Sequence, residues 1–130
     1  MLEVKGLVKQ YGNHLAVDHL HFTIENNQIL RFLGPNGAGK STTMNMITGC
    51  LAATEGQVLI DGHDIFEEPD VAKKLIGYLP EIPPVYMEMT PNEYFKSVGE
   101  ANKVPKSAIP KQLETVMEQT HITHMANRLI

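Results

Sequence analysis

Eight consecutive residues, Gly34-Pro35-Asn36-Gly37-Ala38-Gly39-Lys40-Ser41, meet the spacing Gly-x-x-x-x-Gly-Lys-Ser/Thr at every fixed position. The chemistry that asks for these types is the cradling of a triphosphate. Several backbone N–H groups must converge on one phosphate, and only residues free to take positive φ turn the chain that way, hence Gly34, Gly37 and Gly39. Lys40 then brings an ammonium to the β- and γ-phosphates. The Ser41 hydroxyl suits Mg²⁺, which takes hard oxygens and is held in part by substrate phosphates. Thr42 to Gly49 leaves room for two helical turns, so the loop opens a helix N-terminus that favours anions.

Such a loop needs a strand before it and a helix after it. Gln28-Ile29-Leu30-Arg31-Phe32-Leu33 is apolar and feeds it directly, and Ile29 to Leu33 is expected as a strand. Upstream, Leu2 to Val8 and Leu15 to Glu25 read as strands around a turn at Tyr11-Gly12-Asn13, which implies antiparallel pairing. Downstream, Gln57 to Ile60 reads as a strand ending in the turn Asp61-Gly62. Asp70 to Leu75 reads as a brief helix, and Ile76 to Leu79 as a further strand. Pro80, Pro83 and Pro84 then stiffen the chain. Thr90-Pro91-Asn92-Glu93 combines a capping box with proline at the first helical position, and a helix to about Ala101 follows. Ser107 is expected to cap another helix, running to about His121, with Leu113, Val116, Met117 and Thr120 on one face.

The chain has 130 residues, which sets one domain as the expectation. A strand-rich part, 1–80, gives way to a helix-rich part, 81–130, at a subdomain boundary. The net charge of −4 argues against nucleic acid as a partner, since such binders carry a basic excess. Cys50 is alone, forms no intrachain disulfide, fits a reducing cytoplasm, and is expected as a small buried side chain. No run of apolar residues is long enough to span a membrane, and Met1 to Lys5 shows no signal-peptide pattern. His19 with His21, and His121 with His124, share faces of their elements, but neither pair has a third ligand; both read as solvated.

Leu33 to Thr43 resembles the ATP-binding subunits of ABC transporters, most of all in Asn36 and Gly37. The resemblance runs along essentially the whole chain. It implies an α/β fold: a partial phosphate-loop NTPase with an antiparallel β subdomain and the start of a helical subdomain. It implies ATP and Mg²⁺ as cofactors. Asn36, Gly37, Ala38, Gly39, Lys40, Ser41 and Thr42 would hold the phosphates, and Tyr11 would stack on adenine. Gly56 to Gly62 is similar to the family's hairpin after the phosphate-loop helix. Ile76-Gly77-Tyr78-Leu79-Pro80-Glu81 is similar to the strand entering its γ-phosphate-sensing loop. Met87 to Tyr94 resembles the start of the helical subdomain in drug, lipid and polysaccharide exporters and the gliding-motility type. The loop near Glu81 to Tyr86 would meet a membrane-spanning subunit, and a second ATPase subunit would complete the assembly. The location implied is cytoplasmic, on the inner face of the membrane.

Three departures qualify this. The sensing position is usually glutamine and here is Glu81, a carboxylate able to bind Mg²⁺ or orient water. Arg31 stands where the family has a small or apolar residue, and should face solvent or a partner because unpaired burial is expensive. Residues 1–130 contain no Leu-Ser-Gly-Gly-Gln signature, no apolar run followed by Asp-Glu, and no switch histidine. Val58-Leu59-Ile60-Asp61 imitates the second of these, but Gly62 follows and makes it a turn. The expectation is therefore ATP·Mg²⁺ binding, as part of the motor of an exporter, without useful hydrolysis by this chain alone. Two rivals stand beside it. One is another phosphate-loop class, such as a GTPase or small kinase; a GTPase would need Asn-Lys-x-Asp, which Asn102-Lys103-Val104-Pro105 begins and does not complete. A non-catalytic nucleotide-binding or assembly fragment would show no phosphate release.

Overall fold

A computed structural model describes residues 1–130 as two compact units, Met1–Leu79 and Pro80–Ile130. The first is built on a four-stranded antiparallel sheet in the order β2-β1-β3-β4. Its strands are β1 (Leu2–Tyr11), β2 (His14–Ile24), β3 (Glu55–Ile60) and β4 (His63–Asp64). The turn between β3 and β4 has positive φ at both central residues, Asp61 and Gly62, the mirror-image turn whose twist matches a hairpin. Strands alternate faces, yet Val4, Leu7 and Val8 are all buried on β1. A bulge between Val4 and Leu7 brings those two to one core face, because one extra residue resets the alternation, whereas Val8, next to Leu7, is buried outside that core cluster.

Helix α1 (Lys40–Ile47) lays Thr43, Met46 and Ile47 on the sheet, the i, i+3, i+4 stripe of a helix with one buried face. Those last two join Val4, Leu7, Val17, Val58, Ile60, Ile65 and Ala72 in a single core. The helix expected over 70–75 is a short α2 (Pro69–Ala72) followed by one 3₁₀ turn, Lys73–Leu75.

Two expected strands are absent. Neither Ile29 to Leu33 nor Ile76 to Leu79 is paired in the sheet. Sequence can mark a segment as extended, but a strand exists only where a neighbour takes its hydrogen bonds, and here none lies alongside. Ile29 is 92% and Leu33 89% exposed. Phe32 alone turns inward, its ring edge-on to Phe22 of β2 at 5.3 Å.

In the second unit, α3 (Pro91–Ala101) starts on a complete capping box. The Glu93 N–H donates to the Thr90 hydroxyl at 3.3 Å, and the Thr90 N–H to the Glu93 carboxylate at 2.9 Å. Helix α4 (Ile109–Gln119) buries Ile109 and Met117. Of the face expected on α4, Val116 and Thr120 are instead exposed. Ser107 does not cap it either. Ala108 holds that place, and the preceding turn closes through its own backbone, with the Ala108 and Ile109 N–H groups donating to the Pro105 carbonyl. No helix is long and apolar enough to cross a membrane.

Candidate functional site

The phosphate-loop residues come together at the head of α1. Gly37 has φ 84° and Gly39 φ 78°, both in the left-handed region, as the motif requires. Gly39 caps α1, and its carbonyl accepts the Thr43 N–H at 2.8 Å. A Cβ on Gly39 would lie 2.3 Å from the Ala16 carbonyl oxygen and 3.2 Å from Val17. The loop therefore rests directly on the backbone of β2, with no space for a side chain between them.

Lys40 is folded back under the loop. Its ammonium donates to the carbonyl oxygens of Gly34 and Pro35, each at 2.7 Å. Both partners are neutral, and the first turn of α1 contains no acidic residue. Neither the loop nor the first turn of α1 supplies a carboxylate to compete for the lysine or the helix end, which suits a phosphate, and the Asp18 carboxylate that lines the adjoining cleft comes from β2. Asn36, Gly37, Ala38 and Ser41 are exposed, while Thr42 is half-buried. A cleft of about 340 Å³ opens beside the loop, lined by Ala16, Val17, Asp18, Ala38, Lys40 and Thr43 among others. Glycines at positive φ, a charge held by neutral oxygens and a free helix end make a donor set that fits phosphate. Ser41 is the hydroxyl among them that could take a Mg²⁺ ion.

Tyr11 ends β1, with its backbone paired to His14 across the turn and its side chain 49% exposed. One face of its ring carries the Lys9 ammonium, 5.1 Å from the centroid. Glu81 is exposed and belongs to the second unit, whereas Tyr11 and residues 36–42 belong to the first. Arg31 is exposed.

One expectation near the loop fails. Cys50 is exposed, because α1 ends at Ile47 and the chain turns at Thr48 and Gly49, so the thiol leaves the buried face carrying Thr43 and Ile47. The histidines divide. His21 is exposed, but its Nδ1 accepts the Gly6 N–H at 3.1 Å. His19 lies beside Asp18 at 2.7 Å, and that hydrogen bond raises its pKa above the ordinary value. Lys9 and Ala16 belong to no motif in the sequence, and Val17 reads there only as an apolar strand residue. Lys9 had a faint signal, since residues two apart on a strand share a face with Tyr11. The approach of Ala16 to Gly39 is a long-range contact with no local trace.

Comparison with known proteins places this geometry. The pattern of the ABC transporter family matches residues 17–130. The uncharacterized ABC transporter ATP-binding protein YxlF of Bacillus subtilis is 34% identical over all of this chain and 42% of its own length. The lipopolysaccharide export system ATP-binding protein LptB of Haemophilus influenzae is 33% identical over 99% of this chain and 55% of its own length. Among solved structures, an ATP-binding cassette of an ABC transporter superposes with a TM-score of 0.84 at 28% identity, over 98% of this chain and 56% of that one. The chain spans about half the length of these relatives. A pattern matched from residue 17 onward, and relatives a third identical along the chain, establish that this protein belongs to the ABC transporter family and carries part of its ATP-binding domain.

Proposed function

We propose that this chain binds ATP·Mg²⁺ as the N-terminal part of the ATPase subunit that powers an ABC membrane transporter. The observation that carries the reading is the cradle at the head of α1: Lys40 held only by the Gly34 and Pro35 carbonyls, beside glycines at positive φ. Residues 36–42 bind the phosphates. Lys40 bonds the β- and γ-phosphate oxygens in place of the two carbonyls. The Ser41 hydroxyl ligates Mg²⁺, with Glu81 as a further carboxylate ligand or as the group that orients water. Tyr11 stacks on adenine.

Glu81 to Tyr86 forms the contact with the membrane-spanning subunit. This assignment is supported by the exposure of Ile82 and Tyr86, at 85% and 60%. That contact puts the chain on the cytoplasmic face of the membrane, where a second ATPase subunit joins it. Hydrolysis by this chain alone is slow. Phosphoryl transfer is mainly positioning and electrostatics around an in-line water, and missing general-base function costs about 10²–10⁴-fold.

Calorimetric titration with ATP·Mg²⁺ tests the reading. Charge-assisted hydrogen bonds contribute about 1.5–3 kcal/mol each, so Lys40→Ala weakens binding by about tenfold or more. Equal affinity in parent and variant overturns the assignment. Phosphate release, with Lys40→Ala as the control, tests the second part. Lysine-dependent turnover near one per second refutes it.

A further inference from the structure

Lys9 and Tyr11 lie two apart near the end of β1, and their side chains meet there. The Lys9 ammonium sits over the Tyr11 ring and also donates to the Ala52 carbonyl at 2.8 Å. Ala52 belongs to the segment that follows α1. That segment grips the end of β1 twice more: the Thr54 N–H donates to the Val8 carbonyl at 2.8 Å, and the Gln10 N–H to the Thr54 hydroxyl at 3.0 Å. The ladder with β3 ends at the Val8–Glu55 pair. Beyond it, these three bonds are what fix the end of β1 on that side, while β2 fixes the other.

We infer that Lys9 is a positioning residue for the nucleotide base: anchored on Ala52, it covers one face of Tyr11 and presents the opposite face as the stacking platform. This rests on the reading of Tyr11 as the adenine contact. A tyrosine ring half exposed at the end of a strand is otherwise free to change rotamer, and a planar ligand must then hold it still. The ammonium lowers that cost before the ligand arrives. It is well suited to the task, because a cation over an aromatic face is attracted by the ring quadrupole, and the Ala52 bond keeps the cation where the ring needs it. The contact acts on the base end of a nucleotide and leaves the phosphate end to Lys40.

The test is calorimetric titration of ATP·Mg²⁺ and of inorganic tripolyphosphate into the full chain and four variants: Lys9→Ala, Lys9→Arg, Tyr11→Ala, and Lys9→Ala with Tyr11→Ala. A cation–π contact at an exposed site corresponds to about two- to fivefold in affinity. Lys9→Ala weakens ATP by that factor and leaves tripolyphosphate unchanged, which also shows that the loop is intact. Arginine restores the affinity, since its guanidinium both stacks on the ring and reaches a carbonyl. In the Tyr11→Ala background the Lys9 substitution has no further effect. An equal loss for tripolyphosphate makes Lys9 a phosphate contact and overturns the inference. So does a loss that persists without Tyr11, or no loss at all. Should Tyr11→Ala bind ATP as the parent does, the stacking reading itself falls, and the role of Lys9 with it. A loss in Tyr11→Ala without one in Lys9→Ala refutes the positioning role alone.

Discussion

Gly37→Ala and Gly39→Ala separate two costs that the phosphate loop combines. Both glycines sit at positive φ, 84° and 78°. An L-residue pays about 1–2 kcal/mol for that backbone, so each variant loses that much stability. The two sites then differ. A Cβ at Gly37 meets nothing within 4 Å, whereas one at Gly39 lies 2.3 Å from the Ala16 carbonyl oxygen, against a floor near 3.0 Å for real contacts. The obstacle is strand backbone, not the tip of a mobile side chain, so the loop or β2 must move by more than half an ångström. Forcing extra atoms into a packed site costs about 1–3 kcal/mol. Gly39→Ala is therefore the more destabilised variant by that margin in urea denaturation followed by circular dichroism. It also loses more ATP affinity, because the displaced loop carries the phosphate donors. Equal losses in the two variants would mean that the loop does not press on β2, and the description of the site would be wrong.

Glu93 gives a pH dependence in the second unit. The Thr90 backbone N–H, and then its hydroxyl, hold the Glu93 pKa below its ordinary value. A lowered carboxyl contributes stability that is present above the ordinary glutamate pKa and is lost as pH falls through the folded one. Helical circular dichroism of the parent should thus fall over that acidic range more than that of Glu93→Gln, and matching curves would remove the carboxylate from the cap. The exposed Ile29 and Leu33 predict self-association; paired serine substitutions there reduce it in light scattering, and a monodisperse parent refutes the prediction. ATP·Mg²⁺ at a hundredfold excess over its dissociation constant stabilises the parent by about 2.7 kcal/mol. A melting temperature indifferent to it counts against binding.

What could be read from sequence was what local chemistry decides. The phosphate loop, the Asp61-Gly62 turn and the Thr90–Glu93 box each specify their own backbone within a few residues, and the structure forms all three. What could not be read depends on distant chain. Ile29 to Leu33 has the composition of a strand, but pairing is a property of two segments, and the sequence of one is silent about the other. Cys50 looked buried because its neighbours are apolar, yet exposure follows from where α1 stops. Ser107 had the right side chain for a cap, and the one backbone carbonyl of Pro105 took the role first. At the candidate site, the loop's own residues were legible while its supports were not. Ala16 is an ordinary residue until Gly39 is set against its carbonyl.

That contact ties two ends of the proposed site to one piece of the fold. The β1–β2 hairpin carries Tyr11 at its turn and bears the phosphate loop on Ala16. The hairpin is thus a caliper: the span from ring to loop is set by the backbone of two joined strands, not by a hinge. A ligand that reaches both jaws binds as a chelate, since the first jaw holds the second part of the ligand at high effective concentration. The same rigidity works against a ligand of the wrong length, which can satisfy one jaw but gains nothing from the other.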